Sequence, residues 1–270
     1  MSESYAAQFI AKGGAKFDLS KCPTEVDIFS GKSSARAAIK DNAKAIQPLA
    51  HRLYGEANRS VLIVLQGMDT SGKDGTTAAI LHRTPPLNVK VASFKAPSKK
   101  ELAHDYLWRV HNVCPGKGDI TIFNRSHYED VLVVKVRNFA PAEKVEQRYE
   151  QINNFERHLV ENGTTFLKFM LHISHETQGE RLRERLEEPH KRWKFNPNDL
   201  EDRKLWPDFM NAYETMVQRT STDHAPWHII PSDSRSTRGA IISGIVKNTL
   251  EQMDPQYPDP GYRPEDYIIG

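Results

Sequence analysis

At 270 residues the chain has room for one large α/β domain, with two small domains as the alternative, and its 37 basic and 35 acidic residues leave a net charge of only +2. That balance argues against a general grip on nucleic acid, so any anionic ligand must be met by local basic clusters. Cys22 and Cys114 lie far apart without metal-ligand spacing and fit a reduced, cytoplasmic setting; no apolar run reaches the roughly 18 residues of a membrane span, and the opening MSESYAAQFI lacks a signal-peptide core.

Residues 1–33 are mixed in character and punctuated by glycine, and read as an arm on the surface or at a subunit contact. Residues 34–58 place Ala38, Ala45, Leu49 and Leu53 at helical spacing, with Pro48 arguing for a kink or a break between two helices. Val61 to Leu65 is a β-branched and leucine-rich strand that stops at Gly67, and 76–83 is helical. A short strand follows at 89–94, then a serine-started helix over 98–113 with Leu102, Tyr106, Arg109 and Val110 on one face. The third strand, 119–123, runs into NRSHYED. After it come a helix over 141–162, a strand at 165–173, a helix over 174–187 opened by Ser174, a helix over 203–219, a strand at 227–230 and a closing helix over 236–253.

Strands alternating with helices of this length predict a parallel sheet covered on both faces, a three-layer α/β fold. Ligands of such sheets sit at the carboxyl ends of the strands. The loop after 61–65, Lys95-Ala96-Pro97 and Asn124-Arg125-Ser126 each follow a strand and should converge on one rim.

The first of these loops is the most specific. Gly67-Met-Asp-Thr-Ser-Gly72-Lys73 matches G-x-x-x-x-G-K between a strand and a helix, the layout of a phosphate-cradling P-loop. Gly67, Gly72 and Gly75 let the backbone N–H groups of the loop, with Thr70 and Ser71 between them, turn onto phosphate oxygens. The helix N-terminus adds its positive dipole end, and Lys73 adds a mobile charge. Asp74 stands where Ser or Thr usually helps to hold Mg²⁺. Asp69, inside the loop, either serves the phosphates, by holding Mg²⁺ or orienting an attacking phosphate, or bonds its own backbone. Asn124 occupies the strand end where many P-loop enzymes place a metal-facing Asp, and a carboxylate returns five positions later at Glu129. Arg125 offers a planar fork for phosphate.

The segment RLRERLEEPHKRWKF, 181–195, carries Arg181, Arg183, Arg185, His190, Lys191, Arg192 and Lys194. A solvated helix face with i,i+4 ion pairs is the plain explanation. Pro189 nevertheless breaks the helix, and the cations continue past it beside Trp193, as in a lid closing over phosphates. Lys95 can line the same rim, whereas His104, His111 and His127 show no metal spacing and read as surface or hydrogen-bonding groups.

Six motifs in order over about 35–255, GMDTSGKDGT, SFKAPS, FNRSHYEDV, FERHLVENG, RLEEPHKRWKFNPNDLEDRKLW and TSTDHAPWHIIPSD, resemble family-2 polyphosphate kinases. The resemblance implies a thymidylate-kinase-like P-loop core spanning 34–270 with a helical lid at about 181–206. It also implies Mg²⁺-dependent (or Mn²⁺-dependent), reversible transfer of a phosphoryl group between inorganic polyphosphate and adenine, or guanine, nucleotides. Carried over motif by motif, Asp69, Lys73 and Asp74 are Walker-A residues. Asn124, Arg125 and Glu129 form the Walker-B and nucleotide-binding group. Arg181, Arg185 and Lys194 fall in the lid. In the mechanism expected from these residues, the metal ion sits near Asp69 and Glu129. The family usually forms dimers or tetramers. Members acting on diphosphates commonly have Asp and Asn where this chain has Asn124 and Glu129; the swap is similar to the subclass that phosphorylates both AMP and ADP. The competing expectations are an enzyme restricted to ADP or GDP, an ATP-using nucleoside monophosphate kinase, and a nucleotide-binding regulator without catalysis.

Overall fold

A computed structural model of the chain describes residues 7–84, 87–267 and 269, so the first six residues of the N-terminal arm lie outside the described residues. Six strands form one sheet: β1 (Ile10–Ala11), β2 (Ser60–Gln66), β3 (Val89–Ser93), β4 (Ile120–Asn124), β5 (Thr164–His172) and β6 (Trp227–Pro231). Their order is β1-β6-β5-β2-β4-β3, and every pairing is parallel except that of β1 with β6. The glycine-bounded loop therefore leaves the central parallel strand, between β4 and β5, where neighbouring connections run to opposite sides and open a crevice.

The principal helices are α1 (Lys32–Glu56), α2 (Lys73–Leu81), α3 (Ala142–Glu161), α4 (His175–Glu187), α5 (Asn198–Lys204), α6 (Trp206–Thr220) and α7 (Arg235–Met253), of which α1, α2, α3, α6 and α7 pack on the sheet. Because side chains alternate along a strand, β2 sends Val61, Ile63 and Leu65 into a core with α1, α2 and α7. Leu62 and Val64 go into the opposite core, with α3 and α6. The near-continuous apolar strands follow from this burial on both faces. Among the described residues no helix is long and apolar enough to cross a membrane.

The structure corrects two readings of the sequence. Residues 98–113 are not one helix but two single turns, Lys99–Leu102 and Trp108–His111. Ser98 caps the first as expected, with a reciprocal Glu101 bond, but the Asp105 carboxylate accepts from the Leu107 N–H at 3.0 Å and bends the chain between them. Pro48 does not divide the helix over 34–58; α1 runs through it as one element. Pro48 and Lys44, whose carbonyl loses its partner, are both on the exposed face, where water can replace the bond. Within the arm, Ile10 and Ala11 extend the sheet antiparallel to His228 and Trp227.

Candidate active site

The loop 67–72 owes its shape to backbone geometry that only glycine tolerates at two points. Gly67 has φ 150°, and a Cβ there would sit 2.7 Å from the Leu171 carbonyl oxygen; Gly72 has φ 106°, and its Cβ would meet the Arg238 guanidinium carbon at 2.2 Å. Thr70 also takes a left-handed φ of 64°, and so does Arg125 at 63°. Gly72 is the N-cap of α2 and provides no side-chain cap, so the first amides of that helix are open to an anion.

Two arginines fix the loop from behind. Arg181 of α4 donates through Nη1 to the Thr70 carbonyl (2.9 Å) and through Nη2 to the carbonyls of Ser232 (2.8 Å) and Asp233 (2.7 Å). Arg238 of α7 donates to the Ser71 carbonyl (2.9 Å) and to Thr76 Oγ1 (3.1 Å). With the Thr70 and Ser71 carbonyls taken by these arginines, the uncapped amides at the start of α2 remain to meet an anion. Burial, then the neighbouring Arg181 and Arg235, push Arg238 down to about 9.

Lys73 is only 8% exposed and folds back on the loop, donating to the carbonyls of Gly67 (2.7 Å) and Met68 (3.2 Å). Burial, then the charge of Arg125, lower it to about 8. The register of the sheet sets Leu65 beside Asn124, and the Arg125 N–H donates to the Leu65 carbonyl at 3.1 Å. Arg125 is thereby delivered across the mouth of the P-loop, between two carboxylates. Its Nη2 lies 2.5 Å from Asp69 Oδ1, and its Nη1 lies 3.8 Å from Glu129 Oε2. Burial works against the Asp69 carboxylate, but Arg125, Lys73 and Arg185 together hold it below its ordinary value. Burial dominates at Glu129 and pushes it up, against the opposing pull of Arg125 and Lys73. Gln66, with its amide turned to accept from the Ser126 N–H, donates to Glu129 Oε1 at 3.0 Å.

A cavity of about 570 Å³ opens from this centre under α4 and the turn Pro189–Lys194. Asp69, Thr70, Gly72, Lys73, Asp74, Gly75, Asn124, Arg125, Arg181, Arg185 and Lys194, all singled out in the sequence, line it. Asn124 Nδ2 donates to Asp74 Oδ1 at 2.8 Å, and Lys194 Nζ lies 3.6 Å from Asp74 Oδ2, so the turn reaches down to the P-loop. Gly67 and Glu129 instead line a second, smaller pocket of about 20 Å³ on the far side of the Asp69–Arg125 pair, with Met68, Val133, Asp202, Phe209 and Tyr213. Ser71 is buried in the loop. Lys95 lines neither pocket; it is exposed, and its carbonyl takes a bond from Arg109 at 2.9 Å.

Several residues at the site escaped the sequence reading. Arg235 and Arg238 line the large cavity from the N-terminus of α7. A signal existed, because they follow β6 at its carboxyl end as Arg125 follows β4. Asp199 of α5 accepts from Arg185 at 2.9 Å, and burial together with the nearby Asp69 pushes its carboxyl up to about 6.

The central-strand P-loop, the parallel sheet and the lidded basic cavity define a P-loop kinase-like protein. The chain belongs to the polyphosphate kinase 2 family, which matches residues 30–258. It is 46% identical over 94% of its length to an AMP/ADP-polyphosphate phosphotransferase of Meiothermus ruber, covering 96% of that protein. It is 38% identical over 93% of its length to an ADP-polyphosphate phosphotransferase of Rhodopseudomonas palustris, covering 92% of it. The crystal structure of polyphosphate kinase 2 from Arthrobacter aurescens TC1 superimposes with a TM-score of 0.93 at 33% identity, covering 97% of this chain and 94% of that one.

Proposed function

We propose that the chain transfers a phosphoryl group from inorganic polyphosphate to AMP and to ADP, reversibly and with Mg²⁺, giving ADP and ATP. One observation carries the choice of donor. The large cavity is lined by eight lysines and arginines against three carboxylates, Asp69, Asp74 and Glu184. That excess exceeds what one nucleoside triphosphate needs and suits a longer polyanion laid from the P-loop under the lid. The acceptor is assigned to the other side of the Asp69–Arg125 pair, where Met68, Val133, Phe209 and Tyr213 offer apolar and aromatic surface. The pocket there is too small for a nucleoside, so the lid and α6 must part to admit one.

The reaction is chiefly a matter of positioning and charge. The P-loop amides and Lys73 hold the donor phosphate. Arg125, placed between two carboxylates, turns its fork to the group in transfer. With Arg125 so turned, Asp69 and Glu129 are the carboxylates that would hold Mg²⁺ or Mn²⁺. Among the described residues no cluster of three or more ligating side chains exists, which fits an ion held by one or two carboxylates and completed by phosphate oxygens and water. When bound, the ion would neutralise and align the donor and acceptor phosphates.

The test is incubation of AMP, ADP or GDP with polyphosphate and Mg²⁺ in the absence of ATP, followed by nucleotide chromatography. The expected result is AMP converted through ADP to ATP. AMP left unchanged while ADP or GDP is consumed would establish the diphosphate-only enzyme. Turnover of AMP only after ATP is added would establish an ordinary monophosphate kinase.

A further inference from the structure

Behind the site, within the core between the sheet and α3, two opposite charges are buried without access to water. Lys168 of β5 and Glu156 of α3 pair at 2.6 Å, and both side chains are 0% exposed. The Lys168 ammonium also donates to the Tyr128 hydroxyl and the Thr220 carbonyl, each at 2.8 Å, so its three protons are all used. The Tyr128 hydroxyl donates to Glu156 Oε1 at 2.6 Å, and His127 Nε2 lies 3.4 Å from the same oxygen. The rings of Tyr128 and Trp227 face the ammonium at 5.2 and 5.1 Å. Apolar side chains of similar volume would fill this space at least as stably, so stability alone does not explain the charges.

The turn held by the pair offers an explanation. His127 and Tyr128 open the short helix His127–Asp130, and Arg125 and Glu129 flank them. Arg125 sits at φ 63°, a left-handed conformation that a residue with a Cβ keeps only where its surroundings impose it. From the strand side its N–H is bonded to Leu65, and Ser126 Oγ accepts the Tyr128 N–H at 3.2 Å. From the other side the Tyr128 hydroxyl anchors the turn to the pair at 2.6 Å, a closer contact than that of His127 Nε2 at 3.4 Å. Tyr128 and Glu129 are adjacent and point apart, one into the buried pair and the other toward Arg125 and Gln66. A rotation that relaxed Arg125 would pull the hydroxyl away from two charged partners.

We propose that the buried Glu156–Lys168 pair, gripping the Tyr128 hydroxyl, is a positioning device for phosphoryl transfer that locks the turn 125–129 and keeps Arg125 and Glu129 aimed at the phosphates. The inference rests on Arg125 and Glu129 being the groups that act there. Tyr128→Phe removes one oxygen and keeps the ring, and Glu156→Gln with Lys168→Met removes both charges together so that neither is left unpaired. Ile245→Val, in the opposite core, is the control for a plain packing loss.

The expected result is a fall in kcat of about 10- to 100-fold in both test proteins, the size of effect that a small misplacement of a reacting group produces. KM for AMP and for polyphosphate should stay within about twofold, and the control should keep its kcat despite a lower melting temperature. A kcat near the wild-type value in folded Tyr128→Phe, or in the double variant if the single one does not fold, would overturn the proposal and leave the pair a packing feature. Arg125→Ala and Glu129→Gln separate the premise from the inference. If those two variants turn over normally, the assigned roles of Arg125 and Glu129 fail. If they are inactive while Tyr128→Phe is not, only the positioning device fails.

Discussion

Lys73→Ala is expected to lower kcat by roughly 10²–10³, about 3–4 kcal/mol of barrier, the loss seen when a single donor to developing charge is removed. The same substitution should leave the melting temperature unchanged or slightly raised. Lys73 is buried and its ammonium is disfavoured there, with a native value of about 8 against 10.5 for a free lysine. Keeping it charged at neutral pH therefore costs the native state about 3 kcal/mol. Removing it relieves that cost at the expense of two bonds to the carbonyls of Gly67 and Met68. The sign of the pH dependence follows. Between about 8 and 10.5 the native state has shed a proton that the unfolded chain still holds, so the wild type gains stability across that window and Lys73→Ala lacks the gain. In turnover, kcat/KM for polyphosphate should fall as pH rises through about 8, whereas kcat persists to higher pH because bound phosphate favours the charged amine. Turnover, melting temperature and both pH profiles are measured on the one pair of proteins. Near-normal turnover in Lys73→Ala would remove the lysine from the mechanism.

The parts of this molecule that were legible in the sequence are those set by the backbone. Gly67 and Gly72 announce a loop because no other residue takes their φ beside such close neighbours. The strands announce a buried parallel sheet because both of their faces are apolar. What stayed hidden depends on partners that only the folded chain supplies. Arg181 and Arg185 are one helical turn apart and look alike in sequence, yet Arg181 spends its guanidinium on four carbonyls while Arg185 pairs with Asp199 beside the cavity. Lys168 interrupts the apolar run TFLKFMLHI and gives no sign of Glu156 waiting on α3. Residues 98–113 have helical periodicity throughout, and a single Asp105 turn defeats it. The two-residue strand at Ile10 has too little pattern to detect, since its pairing belongs to β6.

The distinction between struts and free cations sets the expectation for the lid. Arg181 and Arg238 are bonded to carbonyls of the P-loop and of the β6 end, which a phosphate cannot replace without dismantling the loop. Lys194 and Arg235 pair with carboxylates rather than carbonyls, Asp74 at 3.6 Å and Glu184 at 2.5 Å, Lys194 also lying over the Trp193 ring at 5.0 Å, and both side chains are partly exposed. Exposed pairs of this kind contribute little to stability and exchange partners readily. The double variant Lys194→Ala, Arg235→Ala should therefore fold normally and raise KM for polyphosphate by roughly 10- to 100-fold, about 0.7–1.4 kcal/mol per cation, less than a buried charge-assisted contact because both side chains are partly exposed. KM for ADP should move far less, because its phosphates enter from the other side of Arg125. Polyanions release counterions when bound, so log KM for polyphosphate should rise with log salt, and that slope should shrink by about 0.7 per cation removed. Arg183→Ala deletes one positive charge from α4 outside the cavity, at an exposed position, and should change neither constant. Equal shifts in both Michaelis constants, or an unchanged salt slope for polyphosphate in the double variant, would reduce the lid cations to a solvated charged face and take the polyanion out of the cavity.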